Sequence, residues 1–146
     1  MKTATVAAAA LLLSGCMTGK PTHSVLPADL PYTVDDREAY ARVLRSVVNA
    51  DLSVEMKDAD GGIVQTEWHK SHTQLLGCFF MPVATERRVR FKVVMSEGRC
   101  SIKPQVAMRS MAQHGEWTHL EGSDVTDAEA AVFDTLAREV RTSLAK

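Results

Sequence analysis

Residues 87–95 carry the pattern that most restricts this chain: Val89, Phe91, Val93 and Met95 alternate with Arg88, Arg90 and Lys92. Successive side chains of an extended backbone point to opposite faces, so this segment lays one face on a core and leaves the other to water. Such a strand needs neighbours, and the flanking sequence supplies them. Leu52, Val54 and Met56 alternate with Ser53, Glu55 and Lys57. Asp58-Ala59-Asp60-Gly61-Gly62 has turn composition, and Ile63 to Trp68 repeats the alternation, with Val64, Thr66 and Trp68 on one face. The two segments predict a hairpin. Glu97-Gly98 turns the chain into a strand from Cys100 to about Met108, where Pro104 implies an edge or a bulge. Trp117 to Leu120 fits a short last strand. Leu75 to Met81 is apolar, but Gly77 interrupts it and Pro82 ends it, so it reads as a strand or as a loop folded over the core.

Helical periods flank these strands. A first helix fits 35–49, with Thr33 as N-cap and Asp35, Asp36 and Glu38 at the positive end of the helix dipole. Tyr40, Val43, Leu44, Val47 and Val48 form its apolar stripe. A second helix fits 127–144, where Thr126 and Glu129 make a capping box and Val132, Phe133, Leu136, Val140 and Leu144 form the stripe. The expected fold class is α+β: an N-terminal helix, an antiparallel sheet of four or five strands and a C-terminal helix. Each helix has one stripe to bury, so both are expected on one sheet face in a helix-grip-like arrangement.

The amino terminus reads differently. Lys2 precedes an apolar run from Ala4 to Leu13, and Ser14-Gly15 follow. A short positive end, an apolar run and small residues are the parts of a secretory signal, and the run is too short to span a bilayer. Leu13-Ser14-Gly15-Cys16 resembles the lipobox of bacterial lipoprotein precursors. That resemblance implies a diacylglycerol thioether on Cys16, removal of residues 1–15 and acylation of the new terminus, for instance by palmitate. Two or three chains at about 0.8 kcal/mol per buried methylene make a durable anchor. Met17 rather than Asp after Cys16 resembles lipoproteins sorted to the periplasmic face of the outer membrane.

Removing 15 of the 146 residues leaves 131, enough for one domain with a modest core. Residues 16–34, with Gly19, Pro21, Pro27 and Pro31, read as a lipidated cysteine and tether, and residues 35–146 as a single α+β domain. Cys78 and Cys100 remain as an even pair in an oxidising compartment, and a disulfide between them is expected to contribute about 3 kcal/mol. In a simple meander of 75–81, 87–95 and 100–108 the two would flank a middle strand about 10 Å apart, beyond the roughly 7 Å that a bridge allows. The preferred resolution makes 71–82 a crossing loop.

Several side chains are candidates for chemistry. His69 and His72 form a weak metal-ligand pair with no local third ligand. Met56, Met95 and Met108 fall at inward strand positions, where core filling accounts for them. Arg87, Arg88, Arg90 and Lys92 form a basic patch read as outward-facing, which suits an acidic partner or lipid headgroup or simply discourages edge pairing. Trp68, Phe79, Phe80 and Trp117 are candidates to line a groove between helices and sheet. No Gly-x-Ser-x-Gly, His-Glu-x-x-His or phosphate loop occurs, so neither an enzyme nor a cofactor is expected. A charge balance near zero gives no sign of nucleic acid as a partner.

Asp60-Gly61-Gly62-Ile63-Val64-Gln65-Thr66-Glu67-Trp68, with Glu86-Arg87-Arg88-Val89-Arg90 after it, resembles the "Gly-hydrophobic-x-Thr-x-Trp … Arg-x-Arg" strands of BamC-type outer-membrane lipoproteins. The likeness covers about 35–145 by element order and about 30 residues by motif. It departs in having one domain and in carrying Cys78 and Cys100. It implies a helix-grip domain and a scaffold role in outer-membrane assembly. The expected function is therefore a non-catalytic, lipid-anchored envelope lipoprotein that binds a protein partner. A small-ligand or lipid carrier and a metal-binding lipoprotein are the alternatives.

Overall fold

The computed structural model describes residues 23–24, 27–76, 83–110, 115–120 and 124–146. Cys16, Cys78, Phe79 and Phe80 lie outside them. In chain order the elements are β1 (His23–Ser24), β2 (Ala28–Pro31), α1 (Asp36–Asn49), β3 (Val54–Asp58), β4 (Ile63–Thr66), β5 (His69–Leu76), β6 (Val83–Ser96), β7 (Arg99–Ser110), β8 (Thr118–Leu120), β9 (Asp124–Val125) and α2 (Asp127–Leu144). The fold class is α+β.

Strand β6 is the spine of the sheet. Its residues 92–94 pair β4 and residues 83–89 pair β5, so β4 and β5 form one interrupted column beside it. Strand β7 pairs β6 along its whole length, from Ser96↔Arg99 to Thr85↔Ser110. The far side of β7 holds β2 against residues 99–102 and β8 against residues 106–108. With β3 on the outer side of β4, seven strands stand in five antiparallel columns, and β1 pairs β9 separately. Pro104 falls in the gap between β2 and β8. Its missing N–H points there, since its partner Phe91 donates to the other side, and no ladder bond is lost.

The β6–β7 hairpin closes through Glu97 and Gly98, both at positive φ, which matches the right-handed twist of the strands. Helix α1 starts at Asp35, not Thr33: the Asp35 side chain accepts from the Glu38 N–H. It ends with Asp51 in the left-handed region at φ 59°. Asp51 N–H donates to the Val48 carbonyl and Leu52 N–H to the Val47 carbonyl, the bonding of a Schellman end. Helix α2 has the expected capping box in both directions.

Both helices lie on one face of the sheet. Val89, Phe91, Val93 and Met95 of β6 and Cys100, Ile102 and Val106 of β7 meet Val43 and Val47 of α1 and Phe133, Leu136 and Val140 of α2. The Phe91 and Phe133 rings lie 6.2 Å apart. The helices touch through a small buried residue, Ser46, whose hydroxyl donates to the Glu139 carbonyl of α2 at 3.4 Å, while the Arg42 guanidinium donates to the Ser143 carbonyl. Helix α1 sits rotated from its expected stripe: Ala39 and Ser46 are buried, and Val48 is 62% exposed.

Three expectations need correction. Residues 69–76 are a strand, so the meander forms and the crossing loop does not. Cys100 is a free, fully buried thiol. It pairs Met95 at one end of β6, whereas Leu76 pairs Val83 at the other, about 40 Å away along the strand. Cys78 itself lies outside the described residues. Residues 28–31 are a strand with Leu30 and Tyr32 in the core, so the second half of the supposed tether is docked. Met56, expected inside, is 42% exposed on edge strand β3.

Candidate binding face

The sheet face away from the helices is built by a register slip. Gln65 pairs Lys92, but His69 pairs Val89, so the β4–β5 column carries one extra residue between them. An extra residue flips the side chains that follow. Trp68 therefore leaves the core side, where alternation from Thr66 puts it, and lands beside Arg88 and Arg90. The slip also interrupts the ladder at Phe91, whose N–H is taken instead by the Thr66 hydroxyl at 2.9 Å.

On this face the Arg88 guanidinium carbon lies 4.3 Å from the Trp68 ring centre and 3.9 Å from that of Trp117. Arg90 lies 4.4 Å from Trp68 and Arg109 4.7 Å from Trp117. The contacts run Arg109, Trp117, Arg88, Trp68, Arg90, an alternating ladder of cations and indoles across four strand columns. His119 adds a ring 5.7 Å from Trp68. Each cation–π contact contributes about 0.5–2 kcal/mol, the more so where water is excluded. Carboxylates hold the ends. Arg109 donates to Glu86 from Nε at 2.8 Å and Nη2 at 2.6 Å, and Lys70 approaches the other Glu86 oxygen at 2.8 Å. Arg90 donates to Glu55 at 3.0 Å and to Gln105 at 2.7 Å. The hydrogen bonds from Lys70 and Arg109 hold the Glu86 carboxyl below its usual range. Burial, with the charges of Arg90 and Arg109, lowers Arg88, whose buried Nε has no hydrogen-bond partner among the described residues. Beside the ladder, a cavity of about 250 Å³ opens between β2 and β8, lined by Arg90, Pro104, Gln105, Val106, His119 and Leu120.

The basic patch thus divides. Arg88 and Arg90 belong to the ladder, and Lys92 follows on the same face. Arg87 does not: it shares the inward side with Val89 and Phe91. There it meets Glu129 of α2, donating from Nε at 3.1 Å and Nη2 at 2.9 Å. Glu129 also accepts from the Ser71 hydroxyl at 2.5 Å and from the Thr126 N–H at 2.8 Å. Burial alone raises this carboxyl, but Arg87, Ser71 and Thr126 outweigh it and hold it below its usual range. One glutamate therefore caps α2 and pins that end of the helix to β5 and β6.

The groove expected from Trp68, Phe79, Phe80 and Trp117 is corrected by the same slip. Trp68 and Trp117 do come together, but on the opposite side of the sheet from the helices. The helix–sheet interface is filled by Phe91, Leu136, Val140, Val43 and Val47. An apolar groove of about 610 Å³ lies elsewhere, between α1 and the β3 edge, with Leu44, Val48, Leu52 and Val54 in its wall. His69 is exposed, and His72 stands on β5 opposite Arg87. Among the described residues no three His, Cys, Asp or Glu side chains group as a metal site. Burial pushes the Cys100 thiol up to about 12, which leaves it protonated and unreactive near neutral pH. No described helix is long and apolar enough to cross a membrane.

No family model and no curated protein matches the chain. Among solved structures it is similar to a DUF4468 family protein from Bacteroides ovatus, with 12% identity, 87% of this chain and 81% of that chain covered, and a TM-score of 0.36. That degree of likeness fixes neither family nor function.

Proposed function

We propose that this chain is a non-catalytic envelope lipoprotein, anchored through acylated Cys16, that binds a protein partner with the helix-free face of its sheet. The observation that carries this reading is the Arg109–Trp117–Arg88–Trp68–Arg90 ladder. Trp and Arg dominate binding energy at protein interfaces; the three arginines stand on the paired strands β6 and β7, and each tryptophan lies within two residues of a strand end. The anchor rests on Leu13-Ser14-Gly15-Cys16 alone. A role in outer-membrane assembly is the place in the envelope that the BamC-type strand motif favours.

Photocrosslinking in intact cells tests the reading. A photoreactive residue replacing exposed His119, beside the ladder, should give a discrete protein adduct. The same residue replacing exposed Arg138, on α2, should not. No adduct from position 119, or the same adducts from both positions, rules the binding face out.

A further inference from the structure

Resting on that reading, we infer that the partner presents an extended acidic segment, with Asp or Glu at alternate residues, to the row Arg88, Arg90 and Lys92. Each indole of the ladder already carries two guanidinium groups over its ring, so stacking by a base, sugar or apolar ring of a ligand competes with contacts already made. What remains directed outward is N–H donors and ammonium groups.

The arrangement of those donors selects the ligand. Arg88, Arg90 and Lys92 occupy alternate residues of β6, so their attachment points repeat about every 6.7 Å. Side chains on one side of any extended peptide repeat at the same distance. Lys103 lies opposite Lys92 on β7, and neither enters a salt bridge among the described residues. Two carboxylates already seated on the face illustrate the mode: Glu86 on Lys70 and Arg109, and Glu55 on Arg90. The face carries Lys70, Arg88, Arg90, Lys92, Arg99, Lys103 and Arg109 against Asp29, Glu55 and Glu86, in a chain whose formal net charge is -1. Positive charge is thus concentrated on the side that has no helices, and a complementary partner is acidic.

The chain's two tryptophans both stand in the ladder, so their emission reads the site directly. Full-length protein in non-ionic detergent is titrated with an octapeptide of alternating Glu and Thr, with its Gln-for-Glu counterpart, and with phosphatidylglycerol vesicles. The Glu peptide should shift the emission saturably and the Gln peptide should not. Raised salt should weaken the response, and the double variant Lys92→Gln, Lys103→Gln should weaken it about tenfold. A silent Glu peptide, an equal response to the Gln peptide, or a response to vesicles alone overturns the inference. If crosslinking from position 119 captures a partner while the Glu peptide stays silent, the acidic-segment inference fails and the binding face stands. If both are silent, both fail.

Discussion

Single residues carry much of the specification in this chain, and Glu129 carries the most. It sits fully buried, bonded to Arg87, Ser71 and the Thr126 backbone. Replacing one member of a buried ion pair strands the other charge, so Glu129→Gln should cost about 3–5 kcal/mol in urea unfolding. The paired change Arg87→Met with Glu129→Leu should recover most of that, because an apolar pair of similar volume needs no counter-charge. A cost under about 1 kcal/mol for Glu129→Gln would mean that the pair does not hold α2 down. Asp51 offers the opposite case. It adopts the left-handed conformation that glycine takes without penalty at a helix end. Asp51→Gly should therefore raise stability by about 0.5–1 kcal/mol, seen as a higher urea midpoint at unchanged slope.

At the scale of elements, the strongly periodic segments are legible in sequence. Helix α2 begins and ends where its capping box and stripe place it, and β6 keeps its alternation throughout. Arg87 was legible too: its parity matches Val89, and only its charge argues for the outer face. Trp68 was not, because the slip that flips it arises from pairing with β6 and leaves no mark in the local alternation. The ladder is therefore a product of tertiary register. Strand β2 was hidden for another reason: four residues ending in Pro31 hold too few apolar positions to show a period, yet Leu30 and Tyr32 are buried. Leu30→Ala separates the two views of this segment. A docked strand loses about 2–4 kcal/mol in thermal or urea unfolding, whereas a free tether loses nothing.

For the whole molecule, two carboxyls with depressed pKa values set the acid limb of stability. Glu86 and Glu129 are both held below their usual range by partners present only in the fold. Each stabilises fully above the ordinary carboxylate range, and that contribution is lost as pH falls through the lowered folded values. Urea midpoints measured from pH 7 downward should hold until about pH 5 and then decline, and Glu129→Gln should flatten the decline. A midpoint unchanged to pH 3 would contradict the assignment.

The pairing of His23–Ser24 with Asp124–Val125 has a further reach. Only seven residue steps separate Cys16 from His23, so a chain acylated at Cys16 holds its folded body on a leash of at most about 25 Å. The domain would ride close to the lipid surface and sweep a shallow zone above it. With that anchor, any molecule the domain grips would have to come down to that zone.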